Sequence, residues 1–450
     1  MSNVLISPDE IRDRFSKAMS QMYQQEVPQY GTLLQIVKET NAAYLNRHPN
    51  TFTADLEVSE RNRLDVERHG AIRLGTAAEL ATMKDLFAVM GMSPVGYYDL
   101  SAAGVPVHST AFRPVDEASL LLNPFRVFTS LLRLELIDNA DLRDTARRIL
   151  EQREIFSPRV RELIEQAQQA GGLTTNQADD FVSEALKTFR WHSEAQVNLE
   201  TYNALLAHHR LIADVVCFKG PHINHLTPRT LDIDHVQRIM PDYGITPKEV
   251  IEGPPRRQVP ILLRQTSFKA LSEQIRFTDD ETGKHTARFG EIEQRGLALT
   301  PKGRALYDQL LLAASASGNA QDNDSHQRHI EAAFADFPDD KEALRAKQLG
   351  YFRYRLTPGA TIPEHNVSRD NLEDLIHARV VTFEPIVYED FLPVSAAGIF
   401  QSNLGSDKGA VSSGNPNQAA FEAALGRAVI NEFSLYAAIE EASLQSIFGD

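Results

Sequence analysis

Apolar positions along this chain change period several times, and each change marks a new element. In "SPDEIRDRFSKAMSQMYQQ", Ile11, Phe15, Met19 and Met22 recur at helical spacing and predict an amphipathic helix. Ser7 can cap it, Pro8 suits its first turn and Glu10 completes a capping box. "TLLQIVKETNAAYL" predicts a second helix. From residue 64 the pattern shortens. "RHGAIRLG" reads as a strand, and "TAAELATMKDLFAVMG" as a helix with Leu80, Met83, Phe87 and Met90 on one side and Gly91 as its stop. "VGYYDLS", "VPVHSTAFRPV" and "FRVFTSLLRLELI" read as strands. Residues 137 to 192 return to helical period, with a capping box at Thr174–Gln177 ahead of Phe181, Ala185 and Phe189.

A similar order then appears again. "RLIADVVCF" and "HINHLTPRTLDI" are extended by propensity, and "DIDHVQRIMPDYG" predicts a short helix. "VPILLRQTSFKAL" and "TARFGEIEQRGLAL" predict strands. His69 is followed by a helix and "GMSP", His225 by a helix and "GITP". A strand-borne histidine, a helix, Gly-apolar-hydroxyl-Pro and further strands, met twice, predict a duplicated module. The expected fold is α+β: two strand–helix–strands modules forming an open, barrel-like sheet, with surrounding helices.

The expected organisation is one catalytic unit over 1–450. It comprises N-terminal helices (1–63), a first β module (64–136), a helical insertion (137–192) and a second β module (193–313). A small, polar and mobile loop follows at 314–328, and a mixed C-terminal region (329–450) completes the substrate pocket. Within that region "FLPVSAAGIFQSNLG" interleaves apolar and small residues, a composition that lets backbone approach a ligand.

Composition narrows the function. A hydrophobic content of 42% with 24% charged residues is ordinary for a folded protein. The net charge of −15 argues against nucleic acid or an anionic membrane as the main partner. Cys217 is the single cysteine, which excludes an internal disulfide and a thiolate metal cluster. With no basic leader and no apolar run long enough to span a bilayer, the expected location is the cytoplasm.

Among the fourteen histidines, two stand out. His48, His326, His329 and His365 lie in polar, loop-like contexts that predict solvation, and His208 and His209 lie at a polar helix end. "GPHINHLTPRT" holds His222 and His225 between Pro221 and Pro228. Those prolines and the β-rich "VVCF" upstream favour extended backbone, which turns His222 and His225 to opposite faces. His69 and His225 occupy corresponding places in the two modules and can converge. "RFGEIEQRG" adds Glu291 and Glu293 on one strand face; each could instead be solvated or paired with Arg288 or Arg295. Two histidines and one carboxylate suit a non-haem Fe(II) oxygen enzyme, although zinc hydrolases use the same set. Arg73 lies four residues beyond His69 on the same face, roughly 13 Å along at ~3.3 Å per residue. It could receive the far carboxylate of a diacid, or be a surface arginine paired with Glu67 or Asp65.

Several long segments bear on the choice. "VPQYGTLL", "DVERHGAIRLGTA", "GVPVHSTAFRP", "NPFRVFTSLLRLELI", "HINHLTPRTLDID", "EGPPRR", "ILLRQTSFKAL", "HTARFGEIEQRG" and "YEDFLPVSAAGIFQSNLG" run over nearly the whole chain. In them the sequence resembles the 2-oxoadipate dioxygenase/decarboxylase family, also called 2-hydroxyglutarate synthase, whose fold is similar to the vicinal-oxygen-chelate proteins. The resemblance implies an Fe(II) enzyme that converts 2-oxoadipate and O₂ to 2-hydroxyglutarate and CO₂ in lysine degradation. It implies His69, His225 and Glu293 as metal ligands, Arg73 as the partner of the distal carboxylate, and Val394 and Ser395 as pocket lining, with no departure at these positions. The alternatives are another metal enzyme of this fold (an isomerase, a lyase or a ring-cleaving dioxygenase) and a non-catalytic small-acid binding protein.

Overall fold

A computed structural model describes residues 4–49, 51–52, 57–316, 322–361, 368–392 and 416–449. Strands β1 (Arg68–Leu74), β2 (Ser93–Asp99), β3 (Val107–Arg113), β4 (Arg126–Leu132), β5 (His225–Pro228), β6 (Leu263–Ser267) and β9 (Phe289–Arg295) form one seven-stranded sheet. Its order is β2-β3-β4-β1-β5-β9-β6, and it curls into a half-barrel. A hairpin of β7 (Glu273–Arg276) and β8 (Thr282–His285), which lies between them in sequence, is separate. β1 pairs with β4 in parallel and with β5 in antiparallel register, and β5 pairs with β9 in parallel. The two modules therefore share one sheet, joined edge to edge at β1 and β5, the strands that carry His69 and His225.

By its contacts the chain divides into two compact units: Met1–Lys248 with Gln265–Glu293 and Pro393–Ile430, and Glu249–Arg264 with Gln294–Leu392 and Asn431–Asp450. In the first, helix α1 (Pro8–Glu26) buries the predicted stripe, and Phe15 meets Phe125 and Phe189 edge-on at 5.9 and 5.4 Å. Ser7 caps it by accepting from the Glu10 N–H, but the Glu10 carboxylate turns to Arg14 instead of closing the box. Tyr23 on α1 donates its hydroxyl between the carbonyls of Asn224 (3.0 Å) and Phe289 (2.7 Å), fixing the entries to β5 and β9. Helix α2 (Pro28–Arg47) brings Asn41 against the exit of β5, where its side chain bonds Arg229 and Leu231 backbone. The second unit combines helices with a two-stranded antiparallel sheet of β10 (Phe352–Leu356) and β11 (Val381–Pro385).

Three local expectations are corrected. "RLIADVVCF" is not extended: Arg210–Val216 is a helix, capped by the His209 side chain, whose ring accepts from the Leu211 N–H. Leu211 to Val216 are all buried, so packing on every side overrides the β propensity of the run. Of the expected loop at 314–328, helices cover 314–316 and 323–328, the second started by the Asp322–Ser325 cap; residues 317–321 lie outside the described set. His326 and His329 thus sit on a helix, and the His329 Nε2 meets the Ala314 carbonyl at 2.8 Å.

Candidate metal centre

Strand register assembles the polar cluster. On β1, His69 is level with Thr227 of β5. Leu226 is level with Gly290 of β9, and the ladder continues through an Arg229–Glu293 bridge. Thr227 thereby reaches Glu291 and donates to its Oε1 at 3.1 Å, while Gln265 of β6 donates to the same oxygen at 2.9 Å. Two glycines allow this closeness. A Cβ on Gly70 would lie 2.5 Å from Ile223 Cδ1 and 2.9 Å from the His225 carbonyl. One on Gly290 would lie 2.2 Å from Phe268 Cε1.

His69, His225, Glu291 and Glu293 are all fully buried. The His69 Nε2 is 3.0 Å from Glu291 Oε1, and its Nδ1 is 2.9 Å from Glu293 Oε2. The two imidazoles meet edge-on at 5.4 Å, and His225 Nε2 stands 3.9 Å from Glu291 Oε1. One donor atom each from His69, His225 and Glu291 falls within 4.8 Å of the others. Neither ring nitrogen of His225, nor Oε2 of Glu291, has a hydrogen-bond partner among the described residues. Buried orphans of this kind cost roughly 1–3 kcal/mol each and call for an explanation. A cation supplies one: it would accept the lone pair of one His225 nitrogen and of the Glu291 oxygen, and offset carboxylates held out of water.

The charge states differ across the cluster, and that of His225 suits a ligand. Burial pushes His69 down, but Glu293 and Glu291 outweigh it and raise its pKa. Burial, then the neighbouring His69 and Arg73, holds His225 well below the usual histidine range, so its imidazole is neutral with a lone pair to give. Burial raises Glu291 against the pull of His69 and Thr227.

Arg73, further along β1, is largely buried, and its Nη1 donates to Asp214 Oδ2 at 2.7 Å. Glu67, the other partner the sequence offers, accepts from Arg63, Arg126 and Arg229. Arg288 turns to Glu26 and Glu273. His222 lies 3.2 Å from Asp214, apart from the His225 cluster, as extended backbone requires. The structure thus brings His69, His225 and Glu291 together as the three donors, sets Glu293 against the other ring nitrogen of His69, and puts Arg73 on the same strand as His69. Val394 and Ser395 lie outside the described residues. Thr227, Gln265 and Asp214 went unread. Only Asp214 left a signal, as a charge inside an apolar run.

The comparisons with known proteins agree in direction. A family model described as 2-oxoadipate dioxygenase/decarboxylase matches residues 15–403. A protein of that name from Escherichia coli (strain K12) is 61% identical over 439 residues, covering 97% of this chain and 98% of its own. Another from Mycobacterium tuberculosis (strain ATCC 25618 / H37Rv) is 39% identical, covering 96% and 97%. The crystal structure of the hydroxyglutarate synthase from Pseudomonas putida in complex with 2-oxoadipate superposes with a TM-score of 0.89 at 56% identity, over 99% of both chains.

Proposed function

The chain belongs to the 2-oxoadipate dioxygenase/decarboxylase family, and on that premise we propose that it is an Fe(II) enzyme converting 2-oxoadipate and O₂ to 2-hydroxyglutarate and CO₂. The balance closes: one oxygen atom of O₂ enters the carboxylate formed at the former keto carbon, the other enters the new hydroxyl, and the CO₂ leaves with the oxygens of the original carboxylate. The observation that carries the reading is a fully buried His69–His225–carboxylate cluster in which the His225 ring nitrogens have no hydrogen-bond partner among the described residues.

His69 and His225 would hold the iron with one carboxylate of the β9 pair. We assign Glu293 to the metal, following the family motif "GEIEQRG". Glu291 Oε1 is already the acceptor for Thr227 and Gln265, which suits a carboxylate that orients the His69 ring. The donor spacing favours the reverse assignment, Glu291 on the metal and Glu293 on the ring. Iron content decides between them: the ligand's Gln variant loses iron, whereas the orienting residue's variant keeps it with affinity down ~10–100-fold.

When bound, the iron supplies Lewis acidity for the 2-oxo acid end and electrons for O₂. The chain supplies the rest. Buried walls, including Phe289 tilted over His225 at 4.9 Å, keep water from the reacting end. Arg73 takes the distal carboxylate in a charge-assisted pair and holds the substrate in one register along β1. Val394 and Ser395 complete the pocket in this reading. Metal-loaded Arg73→Ala should keep its iron and raise KM for 2-oxoadipate by ~10-fold or more. An unchanged KM would remove Arg73 from the site. By the origin of its substrate, the reaction belongs in this reading to lysine breakdown.

A further inference from the structure

Behind Arg73 stands a second buried polar cluster that the metal chemistry does not use. Its centre is Asp214, which the helix Arg210–Val216 turns into the protein. Oδ2 accepts from Arg73 Nη1 at 2.7 Å, with the Asn224 amide nitrogen at 3.5 Å. Oδ1 lies 2.9 Å from His285 Nε2 and 3.2 Å from His222 Nε2. The other ring nitrogen of His285, Nδ1, is 3.0 Å from the Tyr202 hydroxyl. If His285 donates to Asp214 through Nε2, a neutral ring leaves Nδ1 as acceptor, so the Tyr202 O–H donates to it. The bonds then run in one direction, Tyr202 to His285 to Asp214, with Arg73 donating from the far side. Trp191 stacks on His285 at 6.1 Å and 11°, and meets His222 edge-on at 4.7 Å, closing the cluster to water.

We infer that Asp214, backed by His285 and Tyr202, is a positioning residue for Arg73 and thereby sets which diacid chain length the enzyme accepts. The inference rests on the reading of Arg73 as the distal-carboxylate partner. An arginine side chain left to itself has several rotatable bonds and could follow carboxylates at different distances from the metal. A planar guanidinium tied through one nitrogen to a buried acceptor has fewer orientations open to it, and its remaining N–H groups point over a narrower range. Asp214 is held on both oxygens, by Arg73 on Oδ2 and by His285 on Oδ1, with the Asn224 and His222 nitrogens nearby. Although burial raises its pKa, His222, His285 and Arg73 outweigh this and hold the carboxyl well below its usual range, so the anchor stays charged. A salt bridge serving stability alone would need neither the imidazole pair nor the tyrosine behind it.

The test uses iron-loaded enzyme, full-length, with 2-oxoadipate and the 2-oxo diacids one methylene shorter and one longer. Asp214→Asn keeps the volume and removes the charge. It should retain its iron, raise KM for 2-oxoadipate about tenfold with kcat changed far less, and compress the kcat/KM preference among the three diacids at least about fivefold. His285→Gln, whose amide can still donate to Asp214, should keep the preference, and His285→Phe should compress it. Should Asp214→Asn fail to fold, that His285 pair carries the test alone. An intact chain-length preference in Asp214→Asn, or equal preferences in the two His285 variants, overturns the proposal. Failure of the underlying reading looks different: Arg73→Ala itself leaves KM unchanged.

Discussion

Glu291 and Glu293 share one face of β9, and their spacing ranks neither above the other. What separates them is partners on other strands, Thr227 and Gln265, which no stretch of sequence joins to "GEIEQRG". His225 yields a sharper residue-scale prediction. Its buried nitrogens have no hydrogen-bond partner among the described residues, so His225→Phe should abolish iron binding while leaving metal-free stability unchanged or raised by ~1 kcal/mol, read by denaturant unfolding of the apoprotein. A large loss of apoprotein stability would mean that His225 is held by something else. His108 offers a pH test away from the metal. Burial, then Arg133, lowers its pKa from 6.5 to about 4. The unfolded chain therefore takes up this proton first, and stability attributable to His108 is present above pH 6.5 and lost as pH falls towards about 4. His108→Gln should flatten that part of the stability–pH curve, and an unaltered slope would contradict the assignment. His69 and His225 were legible because each opens its own copy of a repeated pattern. Asp214 was not, because its surroundings are set by His285 and Arg73, each at least seventy positions away.

At the scale of elements, most boundaries followed from period and caps. The helix Ala77–Val89 starts at a Thr76–Glu79 capping box, and the helix Thr175–Phe189 starts at Thr174–Gln177 as its sequence predicts. The errors have one cause. Local composition misleads at "RLIADVV" and "NDSHQR", where burial of the whole run and the Asp322 cap decide the helix. The β1–β5 junction is the element on which the site depends, and Gly70 is its narrowest point. Gly70→Ala would push a methyl group into Ile223 and the His225 backbone. Overpacking of this kind costs ~1–3 kcal/mol. Iron affinity should fall with it, since the same shift parts His69 from His225. A variant that loses stability yet binds iron as tightly as the parent would show that the junction does not set the donor geometry.

For the whole molecule, the sheet explains why a metal site appears at this place. Two modules of the same pattern, joined through β1 and β5, bring two histidines 156 positions apart to one centre (225 − 69). Binding that favours the folded state must also stabilise it, so saturating Fe(II) under anaerobic conditions should raise Tm and a chelator should reverse the shift. Among the described residues no helix is long and apolar enough to cross a membrane. The most direct test of the account is an anaerobic reconstitution with Fe(II), followed by 2-oxoadipate and a measured pulse of O₂, with O₂ consumed, CO₂ released and 2-hydroxyglutarate formed all quantified. The account predicts equal amounts of the three, and none from metal-stripped enzyme. Turnover without iron, or product formed with no O₂ consumed, would contradict it.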